Sequence, residues 1–406
     1  MSQRTMKQTF LVFVITLGII PSVFAQALVV EEETPPAEQS SAGYDGGFYI
    51  KSPDGNFKFT INGRVQPRFD FSRQAGTTSP QGNTTDSFFV RRGRVAFTAE
   101  LFKKFETVVF ADHNSLSKKP LTPFVWSTFH ASPAFNLSMG MVSLPMDRMG
   151  ENGSGWYQMV EAPLTATQED GVKDLTISRQ SFGLPFDLGL RAEGDIGQFF
   201  YAVGFGNGSG AWSGLNPNDA FSYGLRLAYN ILNGGAPYKD YVLGGDDKPL
   251  LSVGFGTGFE DENATETVQG AALVRSWRWS VSGDVAFRYL GWSLTAEMYH
   301  RLENIQGGAA LEDVNGDGKL RDIGYYIQAG YFIIPKKFQL VALGSQVFRE
   351  GPDNNANEFG GGVNWYLYDN KIKLQLDYTN VLDYDDIFGT ANNTQNRIRT
   401  MLTCQF

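Results

Sequence analysis

Residues 277–288 read WRWSVSGDVAFR, and apolar and polar side chains alternate along the stretch. One set of alternate positions carries Trp277, Trp279, Val281, Gly283, Val285 and Phe287, and the other carries Arg278, Ser280, Ser282, Asp284, Ala286 and Arg288. A period of two places successive side chains on opposite faces of a β-strand. The stretch therefore predicts a strand with one apolar face and one polar face.

The same alternation recurs from residue 57 onward and is clearest in 292–301, 371–380 and 397–406. A half-buried soluble sheet also alternates locally, so the connections between strands decide the class. Short turns are predicted near 103–104, 132–133, 194–195, 290–291, 335–336 and 368–369. Longer polar stretches lie between them, near 72–86, 112–119, 145–175, 206–220, 260–275, 304–321, 349–357 and 382–395. One connection departs from this pattern: 233–249 falls at the end of the barrel that has the short turns, and yet it is long. Short periplasmic turns alternating with long external loops are typical of outer-membrane barrels.

The predicted fold is therefore all-β, a transmembrane antiparallel β-barrel of about sixteen strands that occupies residues 57–406. A basic start followed by the apolar run 10–20 predicts a secretory signal peptide over residues 1–25. The polar stretch that follows, with two prolines and no periodicity, predicts a flexible periplasmic leader over 26–56. The predicted location is the outer membrane of a Gram-negative bacterium, with membrane lipid around the barrel.

The last strand ends the chain at Phe406. A terminal aromatic residue on an alternating strand resembles the signal that barrel-assembly machinery reads, which makes that machinery an expected partner. The formal net charge of -9 argues against a nucleic-acid partner. The three histidines, His113, His130 and His300, lie in no motif with a nucleophile, so the sequence indicates no enzyme.

Polar residues of membrane strands face the lumen, so the alternation predicts which charges line the channel. The predicted lining residues are Arg64, Arg68, Arg92, Arg94, Arg278, Arg288, Lys371, Lys373, Arg397 and Arg399. Barrel closure would join strands 371–380, 397–406, 61–71 and 87–102 into one positive wall, with Arg397 and Arg399 beside Arg64 and Arg68. Such a wall favours anions. The alternative is that these charges form salt-bridge ladders with Asp70, Glu100 and Asp377.

Several motifs resemble the phosphate-selective porin O and P family. They are Gly63-Arg64, the Val-Arg-Arg-Gly-Arg run at 90–94, the Lys-Phe-Glu restart at 104–106, the glycine-led stretch 139–145, and 179–210. The resemblance spans nearly the whole mature chain. It implies a sixteen-stranded homotrimeric channel for passive diffusion of phosphate or related anions, with Arg64, Arg92 and Arg94 in the lumen.

The longest loop, 145–175, is the third external one, and in many porins that loop narrows the pore. Its constriction candidates are Asp147, Arg148, Glu151 and Lys173. The loop also carries Glu161, Glu169, Asp170 and Asp174, and so many acidic groups inside a pore would oppose phosphate.

A second loop contains Asp313, Asn315, Asp317 and Lys319, at the alternate spacing of the first half of a calcium loop. The twelfth position is Gly324, so the bidentate glutamate of such loops is missing. Calcium in this external loop is the one cofactor hypothesis; otherwise none is expected.

The sequence thus predicts an outer-membrane porin for small anionic solutes. The alternatives are a general or weakly cation-selective porin, which the acidic loops allow, and a non-conducting adhesin-type barrel.

Overall fold

The computed structural model describes residues 41–75, 84–115, 121–166, 182–184, 186–208, 216, 220–235, 248–261, 264–268, 271–306, 317–350, 355–384 and 393–406. The signal-peptide prediction and the first part of the leader lie outside these residues. So do the predicted site and loop residues Glu169, Asp170, Lys173, Asp174, Asp313 and Asn315. Within the described chain no helix has the length and apolarity needed to cross a membrane.

The described chain is built from β-strands and one short 3-10 helix at Leu164–Ala166. The strands are β1 (Ser41–Tyr44), β2 (Phe48–Lys51), β3 (Phe57–Ala75), β4 (Thr84–Leu101), β5 (Phe105–His113), β6 (Leu121–Ser132), β7 (Phe135–Ser143), β8 (Phe186–Ile196), β9 (Phe199–Gly206), β10 (Ser222–Leu232), β11 (Leu250–Glu260), β12 (Ala264–Val268), β13 (Ala271–Tyr289), β14 (Trp292–Gln306), β15 (Lys319–Ile334), β16 (Phe338–Arg349), β17 (Ala356–Tyr368), β18 (Ile372–Tyr384) and β19 (Asn393–Gln405).

The strands β3 to β19 occupy sixteen places in the wall of one closed antiparallel barrel, which confirms the predicted fold class. Each strand from β3 onward pairs with the next, and β19 pairs with β3 to close the sheet. The segments β11 and β12 both pair with β13, at different heights, and so share one position in the wall. Closure leaves no unpaired edge around the wall, which a bilayer requires because lipid cannot satisfy backbone groups.

The connections alternate in length, as the sequence predicts. Tight turns join the strands at one end, and several of their non-glycine residues adopt positive φ, among them Lys103, Leu290 and Lys336. The turn predicted at 194–195 lies instead at 197–198, because β8 stays paired with β9 up to Ile196 opposite Phe199. The stretch predicted as a loop over 260–275 contains the hairpin of β12 and the start of β13.

Burial along most strands is inverted relative to a soluble protein; β16 differs, because Val341, Leu343 and Val347 are buried on its lumen face. On β14, Leu294 and Met298 are 42% and 58% exposed, whereas Thr295 and Glu297 between them are 3% and 2% exposed. The apolar face therefore points outward and the polar face points into the lumen. A closed barrel with an apolar outer surface and a polar interior is a protein of the bacterial outer membrane.

The leader differs from its prediction in its described part. Residues 41–51 form a hairpin, β1 paired with β2, and β2 continues the sheet along the start of β3. Gly46 in the connecting turn has a φ of 64°, which glycine adopts without strain. Tyr44, Phe48 and Ile50 favour strand structure.

Candidate functional site

The candidate site begins with an irregularity in β4. Gln66 of β3 lies opposite Arg92, but the next residue, Pro67, lies opposite Val90, so Arg91 is an extra residue in β4. Such a β-bulge breaks the strict alternation of side chains. Arg91 and Arg92 are consecutive, and yet both point into the lumen and are buried.

One carboxylate meets three arginines at this bulge. Glu161, from the loop between β7 and β8, lies 2.5 Å from Arg68, 2.5 Å from Arg91 and 3.1 Å from Arg92. Burial by itself raises the pKa of Glu161, but the charges of Arg91, Arg92 and Arg68 outweigh it and hold that pKa well below its usual range. Glu161 is therefore charged and anchors the loop to the wall.

Two further arginines extend this cluster along the lumen. Arg94 pairs with Asp112 of β5 at 2.7 Å. Arg64 lies opposite Arg94 in the sheet and donates to the Ser154 hydroxyl at 2.8 Å. Among the described residues Arg64 has no ion pair, and its Nε is buried without a hydrogen-bond partner. We call Arg64, Arg68, Arg91, Arg92 and Arg94 the arginine cluster.

Residues 144–166, the longer described part of the β7–β8 connection, cross the lumen, and we call them the lumen loop. Its residues 158–166 are all buried. Backbone and side-chain groups of the loop bond to strands on every side: to Arg226 of β10, Ser282 of β13, Glu297 of β14, Gln328 of β15, Ser345 of β16, Glu358 of β17, and Asp377 and Lys373 of β18.

Glycines let the start of this loop approach the wall. Gly204, Gly224 and Gly258 lie opposite one another on β9, β10 and β11 and form a glycine row. A Cβ on Gly204 would lie 2.5 Å from the Pro145 ring, and a Cβ on Gly256 would lie 1.7 Å from the Met146 carbonyl oxygen. The wall therefore has space for the loop only where side chains are absent.

The structure places the three described constriction candidates against the wall. Glu151 binds Arg191 of β8 at 2.7 Å, and Arg148 lies 3.5 Å from Asp284 of β13. Asp147 accepts a hydrogen bond from the Gly150 amide. The loop acids Glu151 and Glu161 are thus engaged by arginines, which removes most of their expected opposition to an anion in the lumen.

Several of the predicted lining arginines form ion pairs with lumen carboxylates. Arg399 binds Asp377 at 2.7 Å, Arg278 binds Glu260, and Arg68 also binds Asp70, so part of the predicted salt-bridge ladder exists. Arg397 donates to Gln395 and has no ion pair among the described residues. Arg288 is buried on the lumen face of β13.

Two details of the predicted wall are corrected. The four strands β18, β19, β3 and β4 are adjacent as expected, but Arg399 lies opposite Asp70 and Arg397 opposite Ser72, because strands in a closed barrel are staggered. Lys371 lies in the turn before β18, with its ammonium 4.7 Å from the Tyr44 ring centre, and not on the lumen face. Lys373 is in the lumen and donates to the Tyr157 carbonyl at 3.0 Å.

A cavity of about 100 Å³ lies between the lumen loop and the wall of β4, β5, β6 and β8. Arg92 and Arg94 line one side, and aromatic rings line another. The lining residues are Arg92, Arg94, Phe110, Phe124, Met149, Gly150, Asn152, Gly153, Ser154, Tyr157, Ala166 and Phe186. Arg64 reaches its edge through Ser154.

The calcium hypothesis can be compared with the structure only at Asp317 and Lys319. Asp317 is exposed, pairs with Arg321 at 2.6 Å and accepts a hydrogen bond from the Lys319 amide at 3.1 Å. Its carboxylate is therefore held by protein donors. No cluster of metal-ligating side chains occurs among the residues that the structure describes.

Reasoning from the sequence missed Arg91 and Glu161. Strict alternation from Arg92 places Arg91 on the lipid face, where a charge is costly. Two successive arginines within a membrane strand are themselves the signal of a bulge. Nothing in the sequence singles out Glu161 among the loop acids, since its partners come from strands about 70 to 90 residues away.

The barrel is similar in fold to solved outer-membrane proteins. OmpF of Salmonella typhi, solved with daunomycin, gives a TM-score of 0.56 at 11% identity and covers 90% of this chain and 100% of that one. An anion-selective porin from Comamonas acidovorans gives 0.55 at 11% identity over 86% of this chain and 100% of that one. The outer membrane channel DcaP of Acinetobacter baumannii gives 0.55 at 11% identity over 90% and 100%.

At these identities the similarity shows the fold alone. No family model matches the sequence, and no curated protein is significantly similar to it.

Proposed function

We propose that this barrel is an outer-membrane porin through which small anions diffuse passively. The observation that carries the proposal is the cavity beside the arginine cluster. Among the residues that the structure describes, the five guanidinium groups of the cluster pair with three carboxylates, those of Asp70, Asp112 and Glu161. Within the described chain, guanidinium groups therefore outnumber their carboxylate partners where the lumen loop narrows the lumen, and a positive constriction attracts anions.

The burial pattern supports a channel more than an adhesin-type barrel. Sixteen strands enclose a lumen wide enough for water, and most strands line this lumen with polar and charged side chains. An adhesin would need its binding residues in the external loops, whereas the densest charge of the described chain lies inside.

The test is the reversal potential of the purified protein in planar bilayers across a potassium chloride gradient. The unaltered chain should conduct with a reversal potential of anionic sign. Arg94→Glu should lower the anion-to-cation permeability ratio about tenfold, because reversing a unit charge changes the energy of a nearby ion by about 1 to 2 kcal/mol in water-like surroundings.

The matched control is Arg321→Glu, which makes the same charge change on an arginine that is 40% exposed outside the lumen. It should leave the ratio unchanged. A cationic reversal potential, or equal effects of the two variants, would contradict the proposal. An absence of conductance would favour the adhesin-type barrel.

Phosphate is the anion that the family resemblance implies. A single guanidinium group can bind two phosphate oxygens through parallel hydrogen bonds. Arg92 and Arg94 both border the cavity. Millimolar phosphate should therefore reduce the chloride current if phosphate binds in the constriction. An unchanged chloride current would exclude phosphate and leave the wider anion proposal intact.

The proposal includes a homotrimer. The wall from β5 to β9 is made of strands of 8 to 12 residues, shorter than the 15 to 19 residues of β13 to β15. Its outer face exposes Phe105, Val109, Val125 and Met139. A section of wall with short strands and an apolar outer face suits contact with a second copy of the chain. Light scattering in detergent should therefore give three times the chain mass. A monomer mass would contradict this part.

A further inference from the structure

The cavity beside the arginine cluster has two chemically different sides. Arg92 and Arg94 supply guanidinium donors on one side. Phe110, Phe124 and Phe186 supply rings on the other. A channel selective only for charge has no need of the second side, because rings offer no hydrogen bonds to a hydrated ion.

The three rings form one connected surface. Phe110 and Phe124 stack with centroids 4.4 Å apart and planes at 11°, and the Phe186 ring meets Phe124 edge-on at 5.5 Å. Arg94 lies over the Phe110 ring at 5.5 Å, so the cationic and aromatic sides adjoin each other. A flat solute in the cavity can contact both sides at once.

From this lining we infer that the channel prefers single-ring aromatic carboxylates, such as benzoate, to inorganic phosphate. The inference rests on the proposed anion channel and specifies its solute. A carboxylate receives parallel hydrogen bonds from an arginine, and its ring packs on the phenylalanines. A phosphate dianion must lose more hydration beside the rings and obtains no contact from them.

Size and ring shape should also distinguish the permeabilities of different carboxylates. Acetate can reach the guanidinium groups but leaves the rings uncovered, so it loses the aromatic contact. Cyclohexanecarboxylate covers the rings but lacks a flat face and a ring quadrupole to pair with them. The expected order of permeability is therefore benzoate, then cyclohexanecarboxylate, then acetate.

The test measures the permeability of each anion relative to chloride from bi-ionic reversal potentials in planar bilayers. Benzoate should exceed acetate about two- to tenfold, the ratio that an aromatic contact provides. Phosphate should fall below benzoate. In Phe124→Leu and Phe110→Leu the benzoate-to-acetate ratio should fall toward one, while chloride stays preferred over potassium.

The control is Phe97→Leu, the same substitution on the outward face of β4, where the ring is 41% exposed. It should keep the full benzoate-to-acetate ratio. Equal permeability of benzoate and acetate in the unaltered chain overturns the inference, even where chloride selectivity persists. A channel without any anion preference overturns the proposed function instead, so the two failures are distinguishable.

Discussion

Glu161 carries one negative charge and contacts three guanidinium groups, and this imbalance defines the chemistry of the site. Removing one partner from a buried ionic group leaves the other charges without compensation, which costs far more than an exposed pair contributes. The residue therefore holds the lumen loop in place and partly neutralises the wall that would attract anions.

Changing Glu161 to Gln should release the loop. The variant leaves Arg68, Arg91 and Arg92 without their shared carboxylate, and the loss is about 3 to 5 kcal/mol of docking free energy. The lumen loop should detach part of the time, and single-channel current should become larger and noisier.

The control for this variant is Glu151→Gln in the same loop. Its partner Arg191 also binds Glu193, so a second carboxylate stays in place. The current noise should change little. Equal noise in the two variants would show that Glu161 is not the principal anchor.

The pH dependence follows from the lowered pKa of Glu161. A carboxyl with a depressed pKa stabilises the docked loop above its ordinary value of 4.5 and stops doing so as pH falls through the lowered value. Current noise attributable to loop release should therefore be the same at about pH 7 and about pH 5. A rise over this interval that Glu161→Gln abolishes would contradict the assignment.

At the scale of single residues, the sequence predicted most of the charged lumen side chains and the wall partners Asp70 and Asp377, but not the partners that the lumen loop supplies. Alternation places Arg64, Arg92 and Arg94 on one face because a strand has a period of two. It fails at Arg91, where the bulge inserts a residue, and at Lys371, which lies in the turn before β18 begins. Pairing between a loop and a distant strand leaves no local pattern.

At the scale of elements, the closure of the barrel depends on a glycine opposite the chain terminus. The Gly63 amide donates to the Phe406 carbonyl at 2.8 Å, and the Phe406 amide donates back to Gly63 at 3.0 Å. A Cβ on Gly63 would lie 2.6 Å from the Phe406 ring and 2.7 Å from the Arg94 carbonyl oxygen. The terminal residue thus packs into a space that only glycine leaves.

Gly63→Ala should weaken this closure, because the new methyl group overlaps the Phe406 ring. The expected loss is about 1 to 3 kcal/mol of unfolding free energy, measured by urea titration in detergent or vesicles. Gly283→Ala is the matched control on β13, since a Cβ there has no atom within 4 Å. A similar loss in both variants would mean that the general strand effect, and not the Phe406 contact, is responsible.

Gly283→Ala is also the control for a variant in the wall beneath the lumen loop. Gly256→Ala places a methyl group where the Met146 carbonyl oxygen lies, so the start of the loop must shift. The expected result is a changed single-channel conductance with little change in the unfolding midpoint, because the strand pairing stays intact. A conductance equal to that of Gly283→Ala would contradict the close contact.

The number and order of the elements were predictable, because each membrane strand repeats the same two-residue pattern. The turn at 197–198 was displaced because residues 194–196 contain turn-forming glycine and aspartate and yet stay paired. The hairpin of β1 and β2 was missed because its strands have only four residues each, too few for periodicity to register. The glycine row could not be predicted from the sequence of one strand, because its three glycines lie on three different strands.

At the scale of the whole molecule, the lumen loop should set the size of the open channel. Deleting residues 152–157 removes the Ser154 contact to Arg64 and the Tyr157 contact to Lys373. Single-channel conductance should rise, and the preference for anions should fall because solutes pass farther from the arginine cluster. A deletion of the same length at 77–82, in the connection between β3 and β4, is the control. Unchanged conductance in the first variant would show that the loop does not limit flow.

The lumen loop also has a mechanical consequence. A closed sheet by itself can flatten into an ellipse while keeping its ladder of backbone hydrogen bonds. Here a chain segment crosses the interior and is fastened to β3 and β4 on one side and to β13, β14 and β16 on the other. It acts as a strut, so the cross-section resists lateral compression by the surrounding lipid and keeps the same shape in bilayers of different tension.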